Sequence, residues 1–274
     1  MTLLVSWVAI DSHGVSSAYI ASDSRITWGD VASFDYGRKV FNFSNSPDIL
    51  GYCGDVLFPS LVLGQIATMA DSGILFAHNA SCKERFEAIK EKLIQQFFNY
   101  PHMVDQITSP SIEVLHIARE NRTGGPFSCW LMTWQRTKGW SGTEVTFPQR
   151  SNILKVLGSG RPEFNDNLER YQNGQDRETS RCIFQCFCDT LFNIKDKRCG
   201  GAPQLVGIYR KPKSPARPFG VITKGKRFFL GALVGKDVLY DAVEWRNDLF
   251  EICDGETMKR EDGAQQQPDL LRRR

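Results

Sequence analysis

Thr2 stands directly behind the initiator Met, a position where one residue can supply both nucleophile and base. Once Met1 is removed, the Thr hydroxyl can attack while its own α-amino group, unperturbed pKa about 7.7–8.0, takes the proton. Thr is small enough for ordinary aminopeptidase removal of the preceding Met. Taken alone, Thr2 reads as the first residue of a strand, and the residues that follow it change that reading. Other reactive residues offer less. Cys182, Cys186 and Cys188 suggest a metal, but on a helix only the first two share a face, and no His lies near. They read as core cysteines of a helix. His13, His78, His102 and His116 have neither metal-ligand nor triad spacing, so no metal site is expected. The basic residues 210, 211, 213, 217, 224, 226 and 227 read as a solvated β-hairpin rather than a patch for an anionic partner.

These residues sit in a chain of 274, of which 41% is hydrophobic and 24% charged, long enough to bury a sizeable core. A net charge of +3 gives no electrostatic argument for binding nucleic acid or a membrane. Eight cysteines without a repeating spacing, and an apolar start lacking a basic n-region, predict reduced thiols and a cytoplasmic location. No run reaches the roughly 18 apolar residues of a membrane helix. The sequons at Asn79 and Asn121 are then chance matches.

The elements follow from periodicity and turn residues. Residues 3–9 and 18–22 predict a β-hairpin around Asp11–Gly14, and residues 38–43 and 49–52 a second strand pair. A small-residue helix follows over about 57–70. Ser81-Cys-Lys-Glu84 is a capping box, and Phe86, Ile89, Leu93 and Phe97 fall on one helical face before Pro101. Strands are expected at 112–118, 128–135, 143–147 and 153–157, with turns at Gly124 and Lys138. Helices are expected at 162–171 and 178–192, then strands at 204–209, 220–223 and 228–234. This order departs from βαβ alternation and suits an α+β fold, a four-layer αββα sandwich of two antiparallel sheets between helices. One domain over 1–253 and a polar, disordered tail over 254–274 are expected.

Five blocks, in order, carry a resemblance. They are Thr2; Ile20-Ala-Ser-Asp-Ser-Arg-Ile-Thr-Trp-Gly29 with Gly37-Arg-Lys-Val40; Gly51-Tyr-Cys-Gly-Asp55; Ile153–Gly160, ending Gly-Ser-Gly; and Lys195-Asp-Lys-Arg-Cys-Gly-Gly-Ala202. Together they resemble the proteasome β-type subunits and the HslV peptidase, within the N-terminal nucleophile hydrolases. The resemblance implies a threonine peptidase that hydrolyses peptide bonds through an acyl-enzyme on Thr2, without metal or organic cofactor. Lys39 would hold an ammonium near the hydroxyl, Asp23 would pair with Lys39, and the Gly54 N–H would be the oxyanion donor. Ser159 and Asp196 would hydrogen-bond around the α-amine. Thr27 would pair with an extended polypeptide substrate, and Ile26, Gly37, Phe41 and Tyr52 would line an apolar first specificity pocket. A self-compartmentalising homo-oligomer, a ring or related assembly, and a separate ATP-dependent unfoldase are further implications.

The plain readings stand beside these: Asp23 and Arg25 as a strand-end ion pair, Lys39 as a solvated strand residue, Phe41 as core. Three departures from the family pattern bear on the site. The interval from Thr2 to Asp23 is longer, which predicts a longer turn over Asp11–Ser17; extra residues inside the strands would carry Thr2 away from Lys39. Cys199 stands where the family has Ser, and Asp55 adds a carboxylate beside the expected oxyanion site. Two rival functions remain: an inactive proteasome-like assembly subunit, and an N-terminal nucleophile amidase acting on a small molecule.

Overall fold

A computed structural model of the chain describes residues 2–104, 109–121, 125–174, 176–211, 215–236 and 238–266. Its strands run β1 Leu4–Asp11, β2 Gly14–Ser22, β3 Ile26–Trp28, β4 Ala32–Phe34, β5 Val40–Asn42 and β6 Asp48–Gly54. Helices α1 Leu57–Asp71 and α2 Cys82–Phe98 follow, then β7 Ser111–Arg119, β8 Phe127–Gln135, β9 Gly139–Glu144 and β10 Asn152–Leu157. Next come α3 Arg161–Tyr171, α4 Ser180–Asn193, β11 Gln204–Tyr209, β12 Arg217–Thr223, β13 Lys226–Phe229 and β14 Ala232–Leu233. Short strands β15 Trp245–Asn247 and β16 Ile252–Cys253 close the order.

Two sheets stack face to face. One has the order β5-β6-β7-β8-β9; the other runs β10-β1-β2-β11-β12-β13-β14, with β15 and β16 added beside β12. The first strand shows how its sequence is used, because both of its faces are buried and successive side chains alternate between them. Leu4 and Val8 point with Ala18, Ile20, Ile49 and Ile117 into the core between the sheets. Val5 and Trp7 point the other way, toward Phe164, Phe184 and Phe187 of α3 and α4. Across the molecule, Leu50, Tyr52 and Val114 face Phe58, Leu63, Phe86 and Leu93 of α1 and α2. The result is the expected four-layer αββα sandwich. Each large side chain removed from water contributes about 1.5–3 kcal/mol to holding the layers together.

Helix α2 begins at the expected capping box: Glu84 N donates to Ser81 Oγ at 3.3 Å and Ser81 N to Glu84 Oε2 at 2.7 Å. Helix α4 is capped by Thr179, whose hydroxyl accepts from Cys182 N at 3.2 Å. Cys182, Cys186 and Cys188 are buried along it, and all eight thiols are free. No helix among the described residues is long and apolar enough to cross a membrane.

Several expectations need correction. The N-terminal hairpin has no long turn; β1 and β2 run up to a tight turn between the paired Asp11 and Gly14, with a bulge where the register shifts between Ala9 and Ile10. Lengthening a hairpin at its far end leaves the near end in register, so Leu4 still faces Ser22. The strand expected over 143–147 lies earlier, at β9. The one expected over 228–234 is broken between β13 and β14, where Leu230 and Gly231 take φ of 49° and 90°. The pairing of β12 with β15 is parallel, in an otherwise antiparallel sheet. The disordered tail does not start at Asp254: Cys253 bridges to Arg260, and Arg227 donates to the Gly255 and Glu256 carbonyls. Residues 267–274, Gly124 and Lys213 lie outside the described residues.

Candidate active site

The residue before β1 and the loop after β2 meet because these strands are paired to their near ends. Asp23 N donates to Leu3 O at 3.2 Å, and Leu3 N returns a bond to Asp23 Oδ1 at 3.1 Å. Lys39, just ahead of β5, reaches across: its Nζ lies 2.9 Å from Asp23 Oδ1 and 2.7 Å from Thr2 Oγ1. Thr2 is 1% exposed, and Asp23 and Lys39 are 0% exposed. The reading of Lys39 as a solvated strand residue is therefore excluded. Concern that strand residues in the longer hairpin would separate Thr2 from Lys39 is also overturned.

Asp23 is the hub of the site. Its second oxygen accepts from Gly200 N at 3.1 Å and Arg25 N at 3.2 Å. The carboxylate is thus held by one ammonium and three backbone N–H groups from separate parts of the chain. Arg25 does not form the ion pair with Asp23 that the plain reading supposed. Its guanidinium grips Asp35 with two bonds of 2.7 and 2.8 Å, and burial, which would lower its pKa, is outweighed by that carboxylate.

Gln204 is the residue that sequence reasoning missed. Its side-chain oxygen accepts from Lys39 N at 3.0 Å, while its amide donates to Asp23 O at 3.0 Å and Gly37 O at 2.8 Å. One buried amide therefore sets the main chain on both sides of the ion pair. The available signal was a Gln leading an apolar strand directly behind Gly200-Gly-Ala-Pro203.

The Gly158–Gly160 loop closes over Thr2. Gly160 N donates to Thr2 O at 3.2 Å, and Gly158, at φ +90°, presses its backbone so closely on that carbonyl that a Cβ would collide with it. Ser159, between them, places its Oγ 3.7 Å from Cys199 Sγ, and Cys199 Sγ is 3.9 Å from Asp196 Oδ2. Burial pushes the Cys199 thiol up to about 12, helped by the nearby Asp23 charge. Burial also works against ionisation of Asp196, but hydrogen bonds from Arg198 and Ser159 prevail and hold it at about 2.

Gly54 ends β6 at φ +95°, where a Cβ would strike the Ser111 carbonyl, so only glycine fits without strain. Two residues earlier, Tyr52 N donates to Lys39 O at 3.2 Å. The Asp55 carboxylate is engaged by backbone: Oδ1 accepts from Phe58 N at 3.0 Å, at the start of α1, and Oδ2 from Ser109 N at 2.8 Å. It acts as a brace between the start of α1 and the approach to β7.

Of the expected substrate-wall residues, Ile26 packs its side chain directly over Gly37. Phe41 and Tyr52, ring centroids 6.4 Å apart, lie in the core against α1, and Arg38 covers the Phe41 ring at 4.4 Å. Thr27 pairs with Ser33 in a two-stranded ribbon of β3 and β4.

No protein-family model matches the chain, and no curated protein does. Solved structures match by shape. The chain is similar to "Helical Assembly of the Anbu Complex from Pseudomonas aeruginosa", at 14% identity and TM-score 0.59, over 87% of this chain and 89% of that one. It is also similar to "Anbu (ancestral beta-subunit) from Yersinia bercovieri", at 13% identity and TM-score 0.52, over 78% and 86%. Eukaryotic HslV from Trypanosoma brucei overlaps more loosely, at 8% identity and TM-score 0.45, over 75% and 99%. The likeness to the two Anbu structures is one of fold, spread over most of each chain.

Proposed function

We propose that the protein is a threonine peptidase whose nucleophile is Thr2, exposed by removal of Met1. The observation that carries this reading is the fully buried Lys39 between the Asp23 carboxylate and the Thr2 hydroxyl. A buried ion pair costs desolvation and adds little stability over apolar packing. Its ammonium aimed at a hydroxyl fits a site that must stabilise developing negative charge on oxygen.

In the proposed reaction, Thr2 Oγ1 attacks the peptide carbonyl carbon as the Thr2 α-amine takes the hydroxyl proton. Lys39 stays charged throughout and stabilises the oxygen as its proton leaves. Backbone N–H at Gly54 receives the carbonyl oxygen of the tetrahedral intermediate. The C–N bond then breaks, and the amine product leaves with the proton held on the α-ammonium. Water attacks the resulting Thr2 ester, gives a proton to the α-amine, and the ester C–O bond breaks to restore the hydroxyl. Ser159 and Asp196 orient the amine, and base catalysis of this kind contributes about 10²–10⁴ in rate.

The substrate is an extended polypeptide that pairs at Thr27, with Ile26, Gly37, Phe41 and Tyr52 setting an apolar preference. The protein works in the cytoplasm as a homo-oligomer, with a separate ATP-dependent unfoldase. Exposed Trp28 at 58% and Val31 at 92% on the β3–β4 ribbon support association with further copies.

Intact-mass spectrometry with and without a peptide epoxyketone tests the mechanism. The expected result is loss of Met1 and one adduct that maps to Thr2. An adduct that persists in Thr2→Ala, or none at any concentration, overturns it.

A further inference from the structure

A cavity of about 330 Å³ lies between Asp35 and Tyr36 after the β3–β4 ribbon, the end of α4 and the β12–β13 hairpin, and Thr2, Asp23 and Lys39 do not line it. Its wall is apolar where Tyr36, Phe192, Ala202 and Phe228 face it, and cationic where Lys224 and Lys226 do. The tight turn that ends β12 places these lysines: Lys224 takes φ 49° and Gly225 φ 68° between the paired residues Thr223 and Lys226. Lys224 Nζ is held 4.4 Å above the Phe192 ring, which fixes an ammonium at the rim.

The charge balance of this cavity is not neutral. Asp35 is its one carboxylate, and both Asp35 oxygens are already taken by Arg25. Among the described residues no ion pair joins Lys224 or Lys226 to an acid. Thr223, only 5% exposed, lines the same cavity, and its hydroxyl finds no hydrogen-bond partner among the described residues. A buried hydroxyl without a partner costs free energy unless a ligand or water completes it.

We infer that this cavity binds an apolar carboxylate: an aromatic or branched body against Phe192 and Phe228, with its anionic end on Lys224, Lys226 and the Thr223 hydroxyl. The volume is at the small end for ligand pockets and suits one aromatic side chain with a short acid arm. Two sources share that chemistry, a free small acid and the C-terminal residue of a peptide.

The test is a ligand-observed NMR titration of the full chain with 3-phenylpropanoate, its neutral amide, and a short peptide ending in Phe with a free C-terminus. The acid should bind at least about tenfold more tightly than the amide, as expected for charge-assisted hydrogen bonds. Raising the salt concentration should weaken the acid alone. The double variant Lys224→Asn, Lys226→Gln should abolish the preference; Asn tolerates the left-handed turn, so the hairpin is preserved. Thr2→Ala should bind the acid unchanged, which separates this site from the proposed nucleophile. The peptide competing with the acid assigns the site to chain termini, and the acid binding alone assigns it to small molecules. Equal binding of acid and amide, affinity that survives the double variant, or loss of binding in Thr2→Ala overturns the inference.

Discussion

The hub role of Asp23 makes an unequal prediction for the two ends of its ion pair. Removing Asp23 as Ala leaves the Lys39 ammonium buried against a hydroxyl alone and strands the N–H groups of Leu3, Arg25 and Gly200. Breaking a buried pair in this way costs about 3–5 kcal/mol, and the stranded donors place Asp23→Ala at the upper end, about 5 kcal/mol. Lys39→Met keeps the apolar stem and leaves the carboxylate on its three backbone donors. Only the charge-assisted bonds disappear, about 1.5–3 kcal/mol. At about 2–4 °C per kcal/mol for a chain near this size, Tm should fall roughly 10–20 °C for Asp23→Ala and 3–12 °C for Lys39→Met. The double variant carries no unpaired ammonium and should lose less than the sum of the two. Thermal unfolding followed by circular dichroism reads all three. Equal losses for the single variants, or strict additivity in the double, would refute the hub account.

Two further outcomes follow from the rim of the site. Gly158→Ala places a Cβ against the Thr2 carbonyl at a φ that L-residues disfavour by about 1–2 kcal/mol, so it should lower Tm and slow epoxyketone labelling of Thr2; wild-type values for both would contradict the close approach. Asp196, held at about 2, has a folded pKa below its unfolded value, so its contribution to stability is complete above about pH 4 and disappears as pH falls through 2. Carboxyl-carbon NMR should show that low titration, and Arg198→Gln should return it toward the ordinary carboxylate range; an unmoved value would remove Arg198 as the cause.

How far the sequence reveals this arrangement depends on the range of the interaction. Helix α2 is legible because a capping box and an apolar face lie within a single turn-by-turn pattern. Strands β1 and β2 are legible as apolar runs flanking a turn. Strands β3, β4, β15 and β16 are two or three residues long, too short to show an alternating pattern, and β15 lies parallel to the distant β12. The same division holds in the site. Asp23 and Lys39 are visible as charged residues in a recognisable motif. The Gln204 bonds to Lys39, Asp23 and Gly37, and the Gly200 bond to Asp23, span well over a hundred residues and involve main-chain atoms that every residue carries. Side-chain type cannot announce such contacts. The substrate-wall residues are ambiguous for the opposite reason, since apolar type serves core and pocket alike, as Phe41 and Tyr52 in the α1 core illustrate.

The hub also determines which departures from the family pattern matter. Lys39 is positioned relative to Thr2 by Asp23 and Gln204, and these are fixed by Leu3, Arg25, Gly37 and Gly200. None of these positions is altered by the longer hairpin, whose extra residues lie at the opposite end of β1 and β2. Asp55 is committed to Phe58 and Ser109, so its charge braces α1 rather than joining the ion pair. Cys199 is different. It lies between Ser159 and Asp196, and sulfur is a weaker hydrogen-bond partner than a hydroxyl. Within the proposed mechanism the nucleophile and its ammonium are therefore built as firmly as the fold itself, and the orientation of the amine is where this chain has room to differ. A slow but specific reaction at Thr2 is the behaviour that distribution of constraints favours.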